Sequence, residues 1–235
     1  MLNIVLKKSY GFVPLRGGSK SIKLKNIKPL NGKPLCYYVL NALQNSALTN
    51  VFVATDSYEI ANCVKNFNFG KVVVYNRNPE NATDTASSES VLLEFLTSTM
   101  AMQYNLQGAD NIVFAQATSP FTTTMDVNNA IKQLEHSKKD SLLTAVLTKR
   151  FFWNKEGVPI NYNYKMRPRR QDFEGFYMEN GAFYINSVKN ILQHKNRLSG
   201  SIEVFEMPEI TALEIDEPLD WFLAEEILKN QSNNI

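Results

Sequence analysis

Cysteine and histidine are scarce in this chain, with two of each in 235 residues. Cys36 and Cys63 stand without a CxxC spacing or a neighbouring histidine, which excludes a zinc framework and points to core thiols in a reducing compartment. His136 and His194 fall in polar, helical surroundings, so a Ser-His-Asp triad and an HExxH zinc site are excluded on inventory. Long apolar runs are missing too, since none approaches the ~20 residues that span a bilayer. The opening MLNIVLKKS has an apolar part too short for a signal peptide and no small-residue cleavage site. These readings lead to the expectation of a soluble, cytoplasmic protein with no membrane partner. Net charge is close to absent, at +2, and basic residues are scattered apart from Arg167, Arg169 and Arg170, which argues against nucleic acid as a partner. Neither GxxxxGK[ST] nor GxGxxG occurs, which excludes an ordinary P-loop NTPase and a dinucleotide enzyme. There is no internal repeat and no low-complexity segment.

What is present suffices for a core: 44% of residues are hydrophobic, enough for one domain with an appendage or two small ones. YGFVPL at 10–15 reads as a first buried strand, preceded by a peripheral extension at 1–9. Pro34 to Ala47 places Leu35, Tyr38, Val39, Ala42 and Leu43 on one helical face, with Pro34 suited to the first turn. VFVAT at 51–55 is a strand, Asp56 and Ser57 are cap candidates for a helix running to about Phe67, and VVVY at 72–75 is a strand. This alternation predicts βαβ units and a parallel sheet. A long helix from about Thr85 to Met102, a strand at 111–116, a helix opened by Asp126, and a strand at 141–148, continuous enough to be central, complete the pattern. Lys149 to Asn180 changes texture, with FFW, NYNY and RPRRQ broken by Pro159 and Pro168, and reads as an arm carrying a binding loop and part of a dimer contact. A strand at 182–186, a helix to about His194, extended runs SIEVFEM and ALEID, and an amphipathic helix from Pro218 to Lys229 follow. The expected fold is α/β, a Rossmann-like, mostly parallel (mixed) sheet flanked by helices with a protruding arm. Residues 1–148, completed by 205–235, would form the α/β body, and 149–204 the arm.

Five stretches carry candidate chemistry. Pro14 to Asn26, PLRGGSKSIKLKN, leaves the first strand through Gly17 and Gly18 and sets Arg16, Lys20 and Lys25 in one loop, an anion cradle able to offset a triphosphate, with Asn26 suited to a ribose hydroxyl. A solvated basic loop is the other reading. Glu214 and Asp216 in ALEID stand two apart, on one face if the run is a strand, and supply the hard oxygens that Mg²⁺ takes beside nucleotide phosphates. Arg77 precedes ATDTASS, in which Asp84, Thr85 and Ser87 form a helix-capping cluster whether or not a ligand binds. QATSP at 116–120 sits at a strand end, where doubly wound sheets keep their ligands, and also reads as a plain turn. RPRRQ at 167–171, followed by ENGA at 179–182, offers planar forks for a carboxylate, or a salt bridge across a dimer.

In their order and spacing these stretches, with LEIDEPLDW, resemble the CMP-sialic acid synthetases, the N-acylneuraminate cytidylyltransferases, over about Phe12 to Glu226. The resemblance implies a homodimer that joins CTP to the anomeric hydroxyl of a nonulosonic acid, releasing pyrophosphate, with Mg²⁺ as cofactor and Mn²⁺ able to replace it. For the body at 1–148 and 205–235 it implies nucleotide binding, and for the arm at 149–204 dimerisation with acid-sugar binding. It implies nucleotide binding by Leu15, Arg16, Gly17, Gly18, Ser19, Lys20, Lys25 and Asn26, with Arg77, Ala86 and Ser88 around cytosine. Gln116, Thr118, Ser119, Arg170, Asn180 and Tyr184 would hold the acid sugar, and Glu214 and Asp216 the metal. Catalysis would rest on Arg16, Lys20, Lys25 and Asp216. The chain departs from the pattern in Glu214, where an aspartate is usual, in Ala117 for proline, and in Arg197 and Leu198, where some bacterial members carry an aromatic pair. Activation of 3-deoxy-manno-octulosonate, or CTP binding by a dimer without turnover, are the alternative expectations.

Overall fold

A computed structural model describes residues 7–19, 21–82 and 86–232. Lys20, Asp84, Thr85 and the opening of the peripheral extension lie outside them. The first strand, β1 (Ser9–Pro14), is buried along its middle and pairs in parallel with β4 (Val51–Thr55) on one side and β6 (Asn111–Ala115) on the other. Two residue pairs, β2 (Pro29–Leu30) and β3 (Lys33–Pro34), form a small ladder before α1 (Leu35–Gln44), so Pro34 closes a turn instead of entering the helix. After β4 come α2 (Tyr58–Lys65) and β5 (Val72–Asn76). The single helix expected at 85–102 is two, α3 (Ser88–Leu96) and α4 (Thr99–Gln103), because the Ser98 hydroxyl accepts from Ala101 N and restarts the chain as a new cap. Beyond β6, α5 (Thr124–Ser137) opens with a capping box between Thr123 and Asp126, which makes Asp126 the third helical residue and Thr123 the cap.

β7 (Ser141–Thr148), β8 (Phe176–Ser187), α6 (Val188–His194), β9 (Ile202–Glu206) and α7 (Pro218–Ser232) complete the chain. The seven strands run in the order β5-β4-β1-β6-β8-β7-β9. All pairings are parallel except those of β8, which is antiparallel to both β6 and β7. The strand expected at 182–186 is twelve residues long, since Phe176 to Glu179 pair with the overhang of β7. β7 is accordingly next to the edge and not central. The body also takes more of the 149–204 span than its composition suggested: β8, α6 and part of β9 lie in or on the sheet.

Period-two alternation on the inner strands feeds two faces. Val13, Val51, Val53, Val113 and Ala115 face α1, α2 and α5, while Tyr10, Phe12, Phe52, Ile112 and Phe114 face α3, α4 and α6. On the second face Phe52 and Phe95 lie 4.6 Å apart and Phe12 and Phe95 5.2 Å apart. Removing one of these rings is expected to cost about 3–5 kcal/mol. A third cluster joins Ile22, Leu30, Leu35, Phe121 and Ile215 to Trp221, Ala224 and Leu228 of α7, and pins the acidic segment to the body.

Candidate active site

Parallel strands aim their carboxyl ends at one edge, and ligands of open α/β sheets sit where successive strands diverge to opposite sides. That point is β1: the chain leaves it for β4 on one side and returns later to β6 on the other. The loop after β1 and the loop after β6 therefore face each other across a pocket of about 190 Å³. Its walls are Pro14, Arg16, Ser19, Lys25 and Asn26 from the first loop, Arg77 after β5, Ala86, Ser87, Ser88 and Val91 at the start of α3, and Gln116, Ala117 and Thr118 after β6.

Each of these groups is positioned by a short-range cause. Leu15 is fully buried and donates its N–H to Ala54 O at 2.8 Å, which fixes where the loop departs. Leu24 adopts a left-handed conformation (φ 50°) and starts a 3₁₀ turn at Lys25–Ile27. That turn aims Lys25 Nζ at Ile215 O and Asp216 Oδ1, both at 2.8 Å. The Asn26 amide donates to Arg16 O at 3.0 Å, closing the loop on itself. Gly17 N donates to Asp56 Oδ1 at 3.2 Å. A Cβ on Gly17 would lie 3.0 Å from Ser57 Cβ, so a side chain here would crowd the start of α2 and glycine relieves that close approach. Arg77 is 8% exposed and its Nη2 donates to Asp56 Oδ1 at 2.5 Å. The Ser87 hydroxyl accepts from Ser90 N at 3.1 Å, so Ser87 is the cap that presents Ser88 to the pocket.

On the β6 side, the Gln116 side chain donates to Gly181 O at 2.6 Å. Gly181 is left-handed (φ +63°), and a Cβ there would lie 2.9 Å from Gln116 Nε2 and 3.1 Å from the Glu214 carboxylate, so only glycine lets these groups converge. Thr118 holds the acidic segment twice: its O accepts from Ile215 N at 2.8 Å, and its hydroxyl donates to Glu214 Oε1 at 3.0 Å. ALEID is thus not a strand. It follows a 3₁₀ turn, Glu209–Ala212, and its backbone bonds go to Thr118 and Lys25 instead of a neighbouring strand. Glu214 and Asp216 nevertheless end beside the pocket, on either side of buried Ile215. Burial, and then the negative charge of Asp216, hold the Glu214 carboxyl above its ordinary value. Among the described residues no group of three or more His, Cys, Asp or Glu side chains gathers as a cation site. The carboxylate pair offers two hard oxygen donors out of the six that octahedral Mg²⁺ takes, a composition that suits a cation whose other ligands come from phosphate oxygens and water.

The acid-sugar candidates are spread more widely. Ser119 is buried in the turn below Thr118, and its hydroxyl has no partner among the described residues. Asn180 is buried and donates to Thr211 Oγ1 at 2.9 Å, bracing the turn that leads to Glu214. The Tyr184 hydroxyl donates to Glu179, and burial followed by that bond pushes the phenol up. Arg170 is exposed on the arm, in a 3₁₀ turn at Arg170–Asp172. Gly18 is exposed beside the pocket. Sequence reasoning took Asp56 only as a cap candidate and Arg197 only as a departure from the family pattern; the Arg197 guanidinium pairs with Glu89 at 2.5 Å and lies over the rings of Phe114 (4.6 Å) and Tyr184 (4.9 Å). The signal for Asp56 was its place at the carboxyl end of a parallel strand.

A cationic loop, a second loop and a helix start meeting at the divergence of a mixed α/β sheet define a nucleotide-binding protein of the doubly wound class. A family model described as Cytidylyltransferase matches residues 10–233. The chain belongs to this cytidylyltransferase family. It is 36% identical to N-acylneuraminate cytidylyltransferase B of Danio rerio, over 90% of this chain and 49% of that protein. It is 27% identical to the CMP-N,N'-diacetyllegionaminic acid synthase of Legionella pneumophila, over 92% of this chain and 94% of that protein. The chain spans about half the length of the N-acylneuraminate cytidylyltransferases it matches, 48–49%. Among solved structures, a CMP:2-keto-3-deoxy-manno-octonic acid synthetase complexed with CTP superposes with TM-score 0.67 at 19% identity, covering 96% of this chain and 100% of that one. The 4-diphosphocytidyl-2C-methyl-D-erythritol synthase of Anaerococcus prevotii does so with TM-score 0.67 at 12% identity, covering 95% and 96%. At these identities the two structures speak for the fold. No helix among the described residues is long and apolar enough to cross a membrane.

Proposed function

We propose that this chain activates a nonulosonic acid with CTP, giving the CMP-sugar and pyrophosphate. The observation that carries the reading is the single pocket that gathers Arg16, Ser19, Lys25 and Asn26 with Arg77, Ala86, Ser88, Gln116 and Thr118. The anomeric hydroxyl would attack the α-phosphorus in line and pyrophosphate would leave, so the protein's work is positioning and charge neutralisation. Arg16 and Lys25, with Lys20 from the same loop, would hold the triphosphate and the departing pyrophosphate. Leu15, Gly17 and Gly18 shape that loop, Asn26 serves the ribose, and Arg77, Ala86 and Ser88 surround cytosine. Gln116 and Thr118, with Ser119 beneath them, face the acid sugar, and Asn180 and Tyr184 fix the β8 wall. Asp216 and Glu214 would hold Mg²⁺ or Mn²⁺, which supplies charge stabilisation as the α-phosphorus is attacked.

We place a second copy of the chain on the arm. Ile160 and Met166 are 67% and 78% exposed, and Phe152, Trp153, Phe176 and Tyr177 are exposed beside them, an apolar surface of the kind that pairs subunits. In such a homodimer Arg170 would reach an acid sugar. The free thiols of Cys36 and Cys63 favour a cytoplasmic setting. The test is pyrophosphate release from CTP and Mg²⁺ across a panel of nonulosonic acids, with 3-deoxy-manno-octulosonate included and the product identified by mass. Formation of a CMP-nonulosonate is expected. Turnover restricted to 3-deoxy-manno-octulosonate, or stabilisation by CTP without any turnover, would overturn it.

A further inference from the structure

We propose that Asp56 is a positioning residue that couples base recognition to the triphosphate loop; this rests on the CTP reading above. Asp56 and Ser57 follow β4 directly, and the Ser57 hydroxyl alone accepts from Ile60 N to cap α2. Asp56 is thereby free to turn toward the pocket. One of its oxygens, Oδ1, receives two donors from different parts of the site: Gly17 N at 3.2 Å and Arg77 Nη2 at 2.5 Å.

Both donors lie close to the end of β4. At Gly17 the backbone runs beside Ser57, where an added Cβ would meet Ser57 Cβ at 3.0 Å. Arg77 N donates to Thr55 O at 3.1 Å, and its side chain is 5% exposed against 25% for Asp56. Among the described residues Arg77 Nε is buried without a partner, and the residue lines the pocket, so the carboxylate anchors one corner of the guanidinium and leaves an unspent donor on the same planar group. A shared acceptor transmits displacement: a base that draws the guanidinium moves Asp56, and Asp56 moves the N–H that sets the loop carrying Arg16 and Ser19. Occupancy of the base subsite and the shape of the phosphate subsite are read together, with α2 held in place by Ser57.

The experiment uses the full chain with Asp56→Asn, which keeps an acceptor for Gly17 and removes the charge that orients Arg77. Steady-state pyrophosphate release is measured with CTP and with UTP. The preference for CTP should fall about tenfold, the range expected when a polar recognition group loses its orientation. KM for CTP should rise by a similar factor, and kcat should stay within about threefold because no reacting atom is touched. Arg77→Lys, which keeps charge and loses the fork, should cause the same loss. The double variant should be no worse than the weaker single one, as residues acting as one unit are not additive. An unchanged CTP preference in Asp56→Asn, whatever its melting temperature, overturns the proposal, as do additive losses. Should Asp56→Asn fail to fold, Asp56→Glu, one methylene longer, must show the reduced preference, and full preference there overturns it. Should the wild type release no pyrophosphate with any acid sugar, the functional reading fails by itself. The coupling is then decided by whether Asp56→Asn narrows the difference between the rises in melting temperature given by CTP and by UTP.

Discussion

The pocket and the arm are built on opposite principles. In the pocket, charged groups find partners within the chain: Lys25 holds Asp216, Arg77 holds Asp56, and Thr118 holds Glu214. Those contacts sit above fully buried side chains such as Leu15 and Ile215, so the geometry exists before any ligand arrives. In the arm, Arg167 lies 4.7 Å over Phe151, Arg169 pairs with Asp172 three residues away, and Trp153 meets Tyr162 edge-on and Tyr164 at a tilt, all contacts within the arm. The lesson is that the charged groups of the pocket are held by partners from distant parts of the chain, whereas Arg167, Arg169 and Arg170 of the arm stand exposed.

The contrast can be broken at several points. Removing divalent cations with a chelator should abolish pyrophosphate release, with recovery on adding Mg²⁺ or Mn²⁺; full turnover in its presence would detach Glu214 and Asp216 from the chemistry. Lys25→Ala removes a phosphate cation together with the tie to Ile215 and Asp216 and should lower kcat/KM for CTP about a hundredfold or more. Arg170→Ala should raise KM for the acid sugar about tenfold and leave KM for CTP unchanged. An equal rise in both would mean that the arm serves the nucleotide as well. Trp153→Ala, measured by sedimentation at several concentrations, should shift the assembly toward monomer.

The smallest expected effect concerns pH. Because the Glu214 carboxyl is held above the ordinary 4.5, the folded chain keeps a proton there that the unfolded chain has lost. Its contribution to stability is therefore greatest on the acid side of that value and declines as pH rises through the raised pKa. Glu214→Gln should flatten the dependence of melting temperature on pH across that window. An unaltered slope would assign it to another group.

How much of this was legible depended on where each contact originates. β4 and β7 stand out because VFVAT and SLLTAVLT are runs of β-branched and apolar residues bounded by polar ones, and the structure keeps both boundaries. Arg16, Lys25 and Asn26 could be named because they follow the first strand around a glycine pair, whereas Arg77, Ala86 and Ser88 were reached through the family resemblance. ALEID misled because Leu213 and Ile215 alternate as in a strand, while the partner of that segment, Thr118, is 96 residues from Glu214. The break between α3 and α4 was hidden because Leu96 and Met100 continue an apolar period across Ser98. The extra length of β8 has no local signature at all, since Phe176 and Tyr177 become strand only by pairing with Thr148 and Leu147.

That reversed strand also ties two tasks into one mechanical member. β8 starts among the exposed side chains of the arm, passes Gly181 under Gln116, and ends locked between its two neighbours deep in the sheet. The pairing of β8 with β7 shifts register between Leu143 and Ala145, beside the left-handed Gly181, so the arm half and the sheet half of the strand meet at a joint next to Gln116. A load placed on Phe176 is therefore taken up at that joint before it reaches the paired half of the strand at Phe183 to Ser187.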